Sequence, residues 1–188
     1  MMVWPVKDHH KKPILGAEMI PLIRNILALV ALVVLTACAA KPTSKFKTYN
    51  GPPVTQIVVE KGDRQMFLLS GSKVLKAYDI GLGFAPIGHK QFEGDGRTPE
   101  GIYYINRQNP NSQYHLSLGI SYPDPEDKAR AMMLGQQPGG DIMIHGRGAY
   151  GAAQKARDWT AGCIAVSDKE IEDIVSMVRP GTPVVIYP

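Results

Sequence analysis

The sequence predicts an α+β domain that is mainly β. Eight short segments are rich in β-branched and apolar residues and are bounded by turn-forming residues, which is typical of strands. These segments are residues 56–60, 65–69, 73–80, 102–105, 116–121, 142–145, 163–166 and 183–187. Only two segments, which begin near residues 124 and 167, have the capped pattern of helices. With 188 residues, 44 % of them apolar, the chain is suited to one globular domain.

The N-terminal part of the chain has the pattern of an export signal. Arg24 precedes ten uninterrupted apolar residues, 26–35, and two small or polar residues then lead to Cys38. A membrane-spanning helix needs about 20 apolar residues, so this segment is too short to span. Residues 35–38 resemble a bacterial lipobox, which implies that Cys38 carries a lipid. A plain core helix is the alternative interpretation of the apolar segment.

This pattern predicts a three-part organisation. We expect a signal peptide at residues 1–37, with Met19 as the true start, the lipidated cysteine and a linker at 38–53, and one folded domain at 54–188. The residue after Cys38 is alanine, as in lipoproteins that are exported to the outer membrane. The expected protein is therefore exported and periplasmic, and is held at the outer membrane through a lipid anchor at Cys38. A lipidated Cys38 cannot pair with Cys163, which leaves one free thiol.

The charge of the chain excludes an obvious nucleic-acid partner. The net charge is +4, but four of the 21 basic side chains and two of the 17 acidic ones lie in residues 1–37. The remaining chain has only a small positive charge and no basic stripe with interleaved aromatic residues. We therefore expect no nucleic-acid binding.

The first three strands are predicted to form a meander. Residues 56–60 and 65–69 are separated by a four-residue polar turn and predict a hairpin, which 73–80 extends. Val74 and Tyr78 are expected to share one face of the third strand.

A long loop follows this meander. Residues 81–101 contain six glycines, and His89 is expected to be exposed on this loop, which is predicted to be mobile. The five later strand segments then alternate with the two helices.

Both predicted helices begin with a recognisable cap. Asp124 precedes Pro125 at the first helical position, and this helix is expected to end before Gly135. Ser167 and Glu170 have the spacing of a capping box. The second helix has an apolar stripe that is expected to pack on the core and that comprises Ile171, Ile174, Val175 and Val178.

The residues that carry chemistry lie between positions 141 and 166. His145 ends one predicted strand and Cys163 begins the next. A histidine beside a cysteine accepts the thiol proton and stabilises the thiolate, which is the nucleophile. Gly162 lacks a Cβ, so we expect the N–H groups around Gly162 and Cys163 to hold a developing oxyanion. Taken alone, the pair is also compatible with an inert buried cysteine beside a structural histidine, and a zinc site completed by His115 or Asp141 is a further alternative.

Three motifs in order resemble a known family. They are the loop Gly-Asp-Gly-Arg-Thr-Pro-Glu-Gly-Ile-Tyr at 94–103, His145-Gly146, and Thr-Ala-Gly-Cys at 160–163. Together they are similar to the L,D-transpeptidase (YkuD-type) catalytic domain of bacterial cell-wall enzymes, over residues 54–188. The resemblance implies a YkuD-like β-sandwich or mixed sheet with a few short helices. It also implies that no cofactor and no metal are needed.

The resemblance further implies a peptidoglycan L,D-transpeptidase. Cys163 would attack the carbonyl between meso-diaminopimelate and D-alanine of a stem peptide and form a thioester, which an amine resolves, with His145 as proton acceptor and donor. Five further residues are candidates for substrate binding, and Arg147 is one of them because a guanidinium binds carboxylates. These candidates are Gly146, Thr160, Ala161, Arg147 and His115. Trp159 is expected to pack against the core.

Two departures from the family pattern leave the reaction outcome open. Ala161 and Ala165 stand where many members carry a histidine and a polar or basic residue. The chain resembles a divergent proteobacterial branch that includes a hydrolase, which uses water to release a lipoprotein covalently attached to peptidoglycan. The alternatives are therefore such a hydrolase, with a murein lipoprotein as a further partner, and a lipoprotein that binds the cell wall without catalysis.

Overall fold

The computed structural model describes Met2 and residues 44–188, and Ser44–Pro188 form one structural unit. The expected signal peptide at 1–37 and the expected lipidation site at Cys38 lie outside the described residues. Within the described residues, no helix has the length and apolar character needed to cross a membrane.

Residues 44–188 form eight strands and three helices. The strands are β1 (Gln56–Glu60), β2 (Gln65–Ser70), β3 (Lys73–Asp79), β4 (Gly101–Asn109), β5 (Ser117–Ile120), β6 (Met143–His145), β7 (Ile164–Ala165) and β8 (Pro183–Tyr187). The helices are α1 (Pro125–Met133), α2 (Gly148–Ala152) and α3 (Asp168–Met177). The predicted mainly β fold with a few short helices is confirmed.

The strands form one curled mixed sheet. Its order is β3-β2-β1-β8-β4-β5-β6-β7, and the β1–β8 and β6–β7 pairs are parallel while the others are antiparallel. Gly81, just after β3, exchanges two backbone hydrogen bonds of 2.8 Å with Ala165 of β7. A Cβ at Gly81 would lie 2.2 Å from the Arg157 carbonyl oxygen, so only glycine allows this approach. The two ends of the sheet therefore meet.

The core lies inside this curl and follows the alternation of each strand. In β1 and β2, Ile57, Val59, Met66 and Leu68 are fully buried while their neighbours are half-buried. Helix α3 contributes the fully buried side chains of Ile171 and Ile174, with Val175 partly buried beside them, and Val178, which directly follows the helix, is also fully buried. The predicted core stripe of this helix is therefore confirmed.

Both long helices begin at the predicted caps. The Asp124 carboxylate accepts the Asp127 N–H at 2.8 Å, and the Asp127 carboxylate accepts the Asp124 N–H at 3.1 Å. Ser167 and Glu170 make the equivalent reciprocal pair. These bonds satisfy N–H groups that a helix start leaves unpaired.

Three details of the local structure differ from the predictions. Val74 is 51 % exposed while Tyr78 is buried, because a bulge between Leu68 and Leu69 changes which face the start of β3 presents. Helix α2 was not predicted, since it is one short turn of mostly glycine and alanine without a side-chain cap.

The third difference concerns the long glycine-containing loop, which is anchored at several points. The Lys61 side chain is 2 % exposed and donates to the Gly88 and Thr98 carbonyls and to the Glu100 carboxylate. His89 was expected to be exposed, but its ring is mostly buried and bonds to the Asp127 carboxylate at 3.0 Å. The expectation for His89 was wrong because a polar loop of this length is held by buried ionic contacts that the local sequence does not reveal.

Candidate active site

The sheet brings His145 and Cys163 to neighbouring strands. His145 ends β6 and pairs with Ala165 of the parallel strand β7, which Cys163 immediately precedes. The Met143 N–H donates to the Cys163 sulfur at 3.4 Å, so the cysteine lies beside the start of β6. Both side chains line one cleft of about 540 Å³.

Two rows of residues that run across the strands form the floor of this cleft, which we call the cysteine cleft. One row runs from Arg107 through Gly119 and Met143 to Cys163, and the other from Asn109 through Ser117 to His145. The row residues alternate with core residues such as Leu118 and Ile144, which are fully buried on the opposite face. The cleft is therefore built on rigid strands.

The His145 ring is held in one orientation. Its Nδ1 lies 2.5 Å from the Gly146 carbonyl oxygen, and because a carbonyl only accepts, Nδ1 carries the proton. The ring stacks on Tyr114 at 4.5 Å between centroids and meets the edge of Trp159 at 5.7 Å. Burial lowers the pKa of His145, and the bond to the Gly146 carbonyl offsets part of that shift. The Nε2 lone pair of the neutral ring is left as the proton acceptor.

An aromatic cluster that the sequence analysis missed surrounds this histidine. Tyr114, Tyr150 and Trp159 lie within 6.2 Å of one another, measured between ring centroids. Trp159 was expected to pack against the core, but it packs inside this cluster, where Arg147 lies over its ring at 5.5 Å. Tyr114 and Tyr150 come from segments without a strand or helix pattern in the sequence, so no periodicity indicated them.

The Cys163 sulfur makes two polar contacts, one with β6 and one with the segment just before it. Its sulfur accepts from the Met143 N–H and donates to the Asp141 carbonyl at 3.5 Å. Burial raises the pKa of the Cys163 thiol above its ordinary value, while the Met143 N–H and Lys90 favour the thiolate and Asp141 opposes it. Both pKa shifts, which burial causes, favour the neutral forms of Cys163 and His145 in the resting protein.

The turn before Cys163 is held by Thr160. The Thr160 hydroxyl donates to the Cys163 carbonyl at 2.7 Å and accepts the Gly162 N–H at 3.2 Å. Thr160 is buried, so it positions the turn rather than presenting its hydroxyl to the cleft.

The role of Gly162 differs from the expectation. Its N–H already has Thr160 as acceptor, whereas the Cys163 N–H has none among residues 44–188. Gly162 has φ 137°, and a Cβ there would lie 2.7 Å from the Arg97 carbonyl oxygen. The glycine is thus required for close packing of the 94–103 loop, and of the two N–H groups expected to hold an oxyanion, that of Gly162 is already paired.

None of the five predicted substrate-binding residues lines the cysteine cleft, and the side chains or backbone of three of them are engaged elsewhere. Gly146 is buried, and a Cβ there would meet the Asp168 carboxylate at 2.6 Å, so it acts through its carbonyl on His145. The Arg147 guanidinium donates to the Gly151 and Gln154 carbonyls and faces a separate cleft. The His115 ring bonds to Glu172 of α3 at 2.9 Å.

Ala161 lies beside the cysteine on a second side. It is exposed and lines a smaller cavity of 160 Å³ that Cys163, Lys90 and Ile142 also line. Lys90 is bound there to the buried Asp95 carboxylate at 2.8 Å. Cys163 is therefore reached from two cavities.

The alternative of a zinc site finds no third ligand in the positions suggested for it. The His115 ring bonds to Glu172, and the Asp141 carboxylate bonds to Arg107 at 2.6 Å. Among the residues described, no group of three His, Cys, Asp or Glu side chains has the spacing to hold a metal ion.

Comparison with known proteins finds relatives in sequence and in fold. The protein named "Putative L,D-transpeptidase YafK" from Escherichia coli (strain K12) is 27 % identical over 155 residues, which cover 77 % of this chain and 57 % of that protein. A mutant form of the helical cell shape determining protein Pgp2 from Campylobacter jejuni has a TM-score of 0.56 and 25 % identity, over 73 % of this chain and 48 % of that one.

A second solved structure supports the fold alone. Bd1075 of Bdellovibrio bacteriovorus has a TM-score of 0.51 at 22 % identity, over 76 % of this chain and 50 % of that one. The chain thus spans little more than half the length of the curated relative and about half the length of these structures. The family model described as L,D-transpeptidase catalytic domain (YkuD) matches residues 54–186. Because that match covers well over half of the chain, the chain belongs to the L,D-transpeptidase catalytic domain family.

Proposed function

We propose that the protein is a cysteine-dependent acyltransferase that acts on peptidoglycan stem peptides as an L,D-transpeptidase. The observation that carries this proposal is the shared cleft of Cys163 and His145, in which the Gly146 carbonyl holds the imidazole with Nε2 unprotonated. Family membership supports the same reaction class. Neither a metal nor a cofactor takes part in the proposed reaction.

The first half of the reaction forms a thioester. The Cys163 proton passes to His145 Nε2 while the sulfur attacks the carbonyl carbon between diaminopimelate and D-alanine. The tetrahedral oxyanion accepts a hydrogen bond from the Cys163 N–H. The imidazolium of His145 then donates its proton to the departing amine. The C–N bond breaks, D-alanine leaves, and the acyl group remains on Cys163.

The second half transfers the acyl group. An incoming amine loses a proton to His145 Nε2 and attacks the thioester carbonyl, and the C–S bond breaks as the proton returns to sulfur. One amide bond is broken and one is formed, so the exchange is close to neutral in energy. Burial of both Cys163 and His145 fits this scheme, because charge develops only when a substrate is bound and water is displaced.

The hydrolase alternative differs only in the acceptor. The cavity beside Ala161 gives access to Cys163 from a second side, and its volume of 160 Å³ admits water. In this alternative, water resolves the thioester and a covalently attached murein lipoprotein is the partner that is released.

The deciding experiment is mass spectrometry of products formed from disaccharide-tetrapeptide and from a lipoprotein-linked muropeptide. We expect cross-linked or D-amino-acid-exchanged products that a Cys163→Ala variant does not form. Release of the lipoprotein-derived residue with water in the product would instead establish the hydrolase. Binding to peptidoglycan without any product would establish a non-catalytic cell-wall-binding protein.

We further propose that the protein is exported and anchored to the outer membrane through a lipid on Cys38. The lipobox-like residues 35–38 support this proposal. Metabolic labelling with palmitate is expected to mark the wild-type protein and to be lost in Cys38→Ala. A mature N-terminus at another residue would contradict it.

A further inference from the structure

The Arg107 side chain crosses one strand to reach the edge of the cysteine cleft. Arg107 on β4 pairs with Gly119 on β5, and a Cβ at Gly119 would lie 2.8 Å from the Arg107 Cγ. The missing side chain at Gly119 therefore leaves the channel through which Arg107 extends. Its Nη2 reaches the Asp141 carboxylate at 2.6 Å and the Met143 sulfur at 3.8 Å.

This places a guanidinium close to the nucleophile. Met143 directly precedes the core residue Ile144 on β6 and donates its N–H to the Cys163 sulfur. Neighbouring strands lie about 4.8 Å apart, so the guanidinium ends roughly one strand away from Cys163. Asp141 connects the two groups, because its carboxylate binds Arg107 while its carbonyl accepts from the Cys163 thiol.

The charged residues that line the cysteine cleft are few, and they include Arg107. Among the described residues that line the cysteine cleft, Arg107 is the only one with a permanent positive charge, and Asp141 is the only carboxylate. The Arg107 side chain is 43 % exposed and that of Asp141 is 87 % exposed. An exposed ion pair is weak, so a carboxylate of a bound ligand can replace the Asp141 carboxylate at little cost.

We propose that Arg107 forms a carboxylate-binding subsite of the cysteine cleft, which Asp141 occupies until the substrate arrives. This inference rests on the proposed function, since a stem peptide carries the carboxylate that the subsite takes. A guanidinium matches a carboxylate with two parallel hydrogen bonds, which fixes the orientation of the peptide as well as its affinity. Two carboxylates of the donor peptide have the required chemistry: that of the terminal D-alanine and the second carboxylate of diaminopimelate.

The test compares three tetrapeptide substrates: the free acid, the peptide amidated at the terminal D-alanine, and the peptide amidated at diaminopimelate. With the wild-type protein, amidation of the recognised carboxylate is expected to lower kcat/KM about tenfold, mainly through KM. Arg107→Gln is expected to turn over the acid and that amide equally. One amidated peptide is expected to have a lower kcat/KM than the free acid with the wild-type protein but not with Arg107→Gln. The position of the amide in that peptide identifies the carboxylate that Arg107 binds. Retention of the wild-type preference by Arg107→Gln would overturn the proposal.

Two further variants separate recognition from structure. Arg179→Gln removes an exposed arginine outside the cysteine cleft and is expected to keep the wild-type preference for the free acid.

Asp141→Asn tests whether the Asp141 carboxylate competes with the substrate, and asparagine tolerates the left-handed φ of 53° at this position. Because it removes the competing carboxylate, it is expected to lower KM for the free acid severalfold. A rise in KM would show that Asp141 orients Arg107 instead, and would overturn the displacement step.

A binding experiment makes the two proposals separable. Calorimetry with Cys163→Ala measures tetrapeptide affinity without turnover, and adding Arg107→Gln is expected to weaken it about tenfold. If this loss occurs but the wild-type protein forms no product, the subsite stands and the proposed reaction fails. If product forms, and Arg107→Gln still prefers the free acid over the amidated peptides as strongly as the wild type does, the reaction stands and the subsite fails.

Discussion

Backbone groups make the hydrogen bonds that hold Cys163 and His145. The Gly146 carbonyl fixes the imidazole, and the Asp141 carbonyl and Met143 N–H contact the sulfur. No acidic side chain is needed to orient the histidine in this arrangement, because a carbonyl accepts the Nδ1 proton equally well. At the residue scale, the site therefore depends on where the strands place their peptide groups.

The reactivity of Cys163 distinguishes an enzyme from a binding protein. Iodoacetamide is expected to alkylate Cys163 near pH 7.5 about tenfold more slowly in His145→Gln than in the wild type, because the thiolate forms only as the imidazole takes the proton. Mass spectrometry of the alkylated cysteine peptide measures the rate. Equal rates in the two proteins would favour the non-catalytic alternative.

Tyr114 is expected to set the pH dependence of the reaction. It covers the His145 ring at 4.5 Å, and burial is the main cause of the lowered pKa of that histidine. Tyr114→Ala admits water, so the pKa of His145 is expected to rise towards its ordinary value of 6.5. The acid limb of the profile of kcat/KM against pH then moves to higher pH.

The matched control for this change is Tyr104→Ala, which removes a half-exposed tyrosine from β4. It is expected to leave the pH profile in place. An unshifted acid limb in Tyr114→Ala, with folding intact, would show that the stacking contact does not control the histidine.

The elements around the site meet at glycines. Gly81 lets β3 close on β7, Gly119 leaves room for Arg107, and Gly162 lets the 94–103 loop contact the turn before Cys163. In each case the glycine is needed for a close approach between segments that are distant in sequence. At the scale of elements, glycines mark where the loop and strands converge on the cysteine.

Gly162→Ala is expected to destabilise the domain by about 2 kcal/mol or more. Alanine is strained at φ 137°, and its Cβ would lie 2.7 Å from the Arg97 carbonyl oxygen. The turn before Cys163 would shift, so activity is expected to fall as well. Urea unfolding measures the stability, and Gly140→Ala is the control because a Cβ at Gly140 meets nothing within 4 Å. Equal stability of the two variants would contradict this assignment.

Ionic contacts connect the first hairpin to the site across the whole molecule. Arg64, in the turn between β1 and β2, binds the Asp158 carboxylate at 2.8 Å, and Asp158 also accepts the Leu82 N–H at 2.9 Å. Asp158 directly precedes Trp159 and Thr160, which contact His145 and Cys163. Burial alone would raise the pKa of Asp158, but Arg64 and the Leu82 N–H outweigh it and lower the pKa.

This lowered pKa predicts a loss of stability in acid. Because the folded-state pKa of Asp158 lies below the ordinary value of 3.8, the unfolded chain binds more protons in that range. The stabilisation is present above pH 3.8 and is lost as the pH falls through the folded-state pKa. Asp158→Asn is expected to flatten the dependence of the urea midpoint on pH below about pH 5. The exposed Asp63→Asn is the control, and an equal slope in all three proteins would contradict the prediction.

Local patterns in the sequence determined the strands, both capped helices, the family motifs and the pairing of a cysteine with a histidine. Each of these depends on residues close together in the chain, such as Ser167 with Glu170 or the alternation in residues 56–60. The sequence also indicated Trp159 as a packing residue, because a large aromatic side chain can fix the strand that carries Cys163.

Only the tertiary structure decided which polar residues reach Cys163. Arg147 lies near His145 in the sequence, and His115 lies just before the adjoining strand β5, yet their side chains bond to other segments. Arg107 and Tyr114 were not predicted. Arg107 reaches the cleft across the space that Gly119 leaves free, and Tyr114 reaches it by stacking on the His145 ring. A sequence records which side chains are present, but the curl of the sheet decides which of them share a cleft, since that depends on contacts between distant strands.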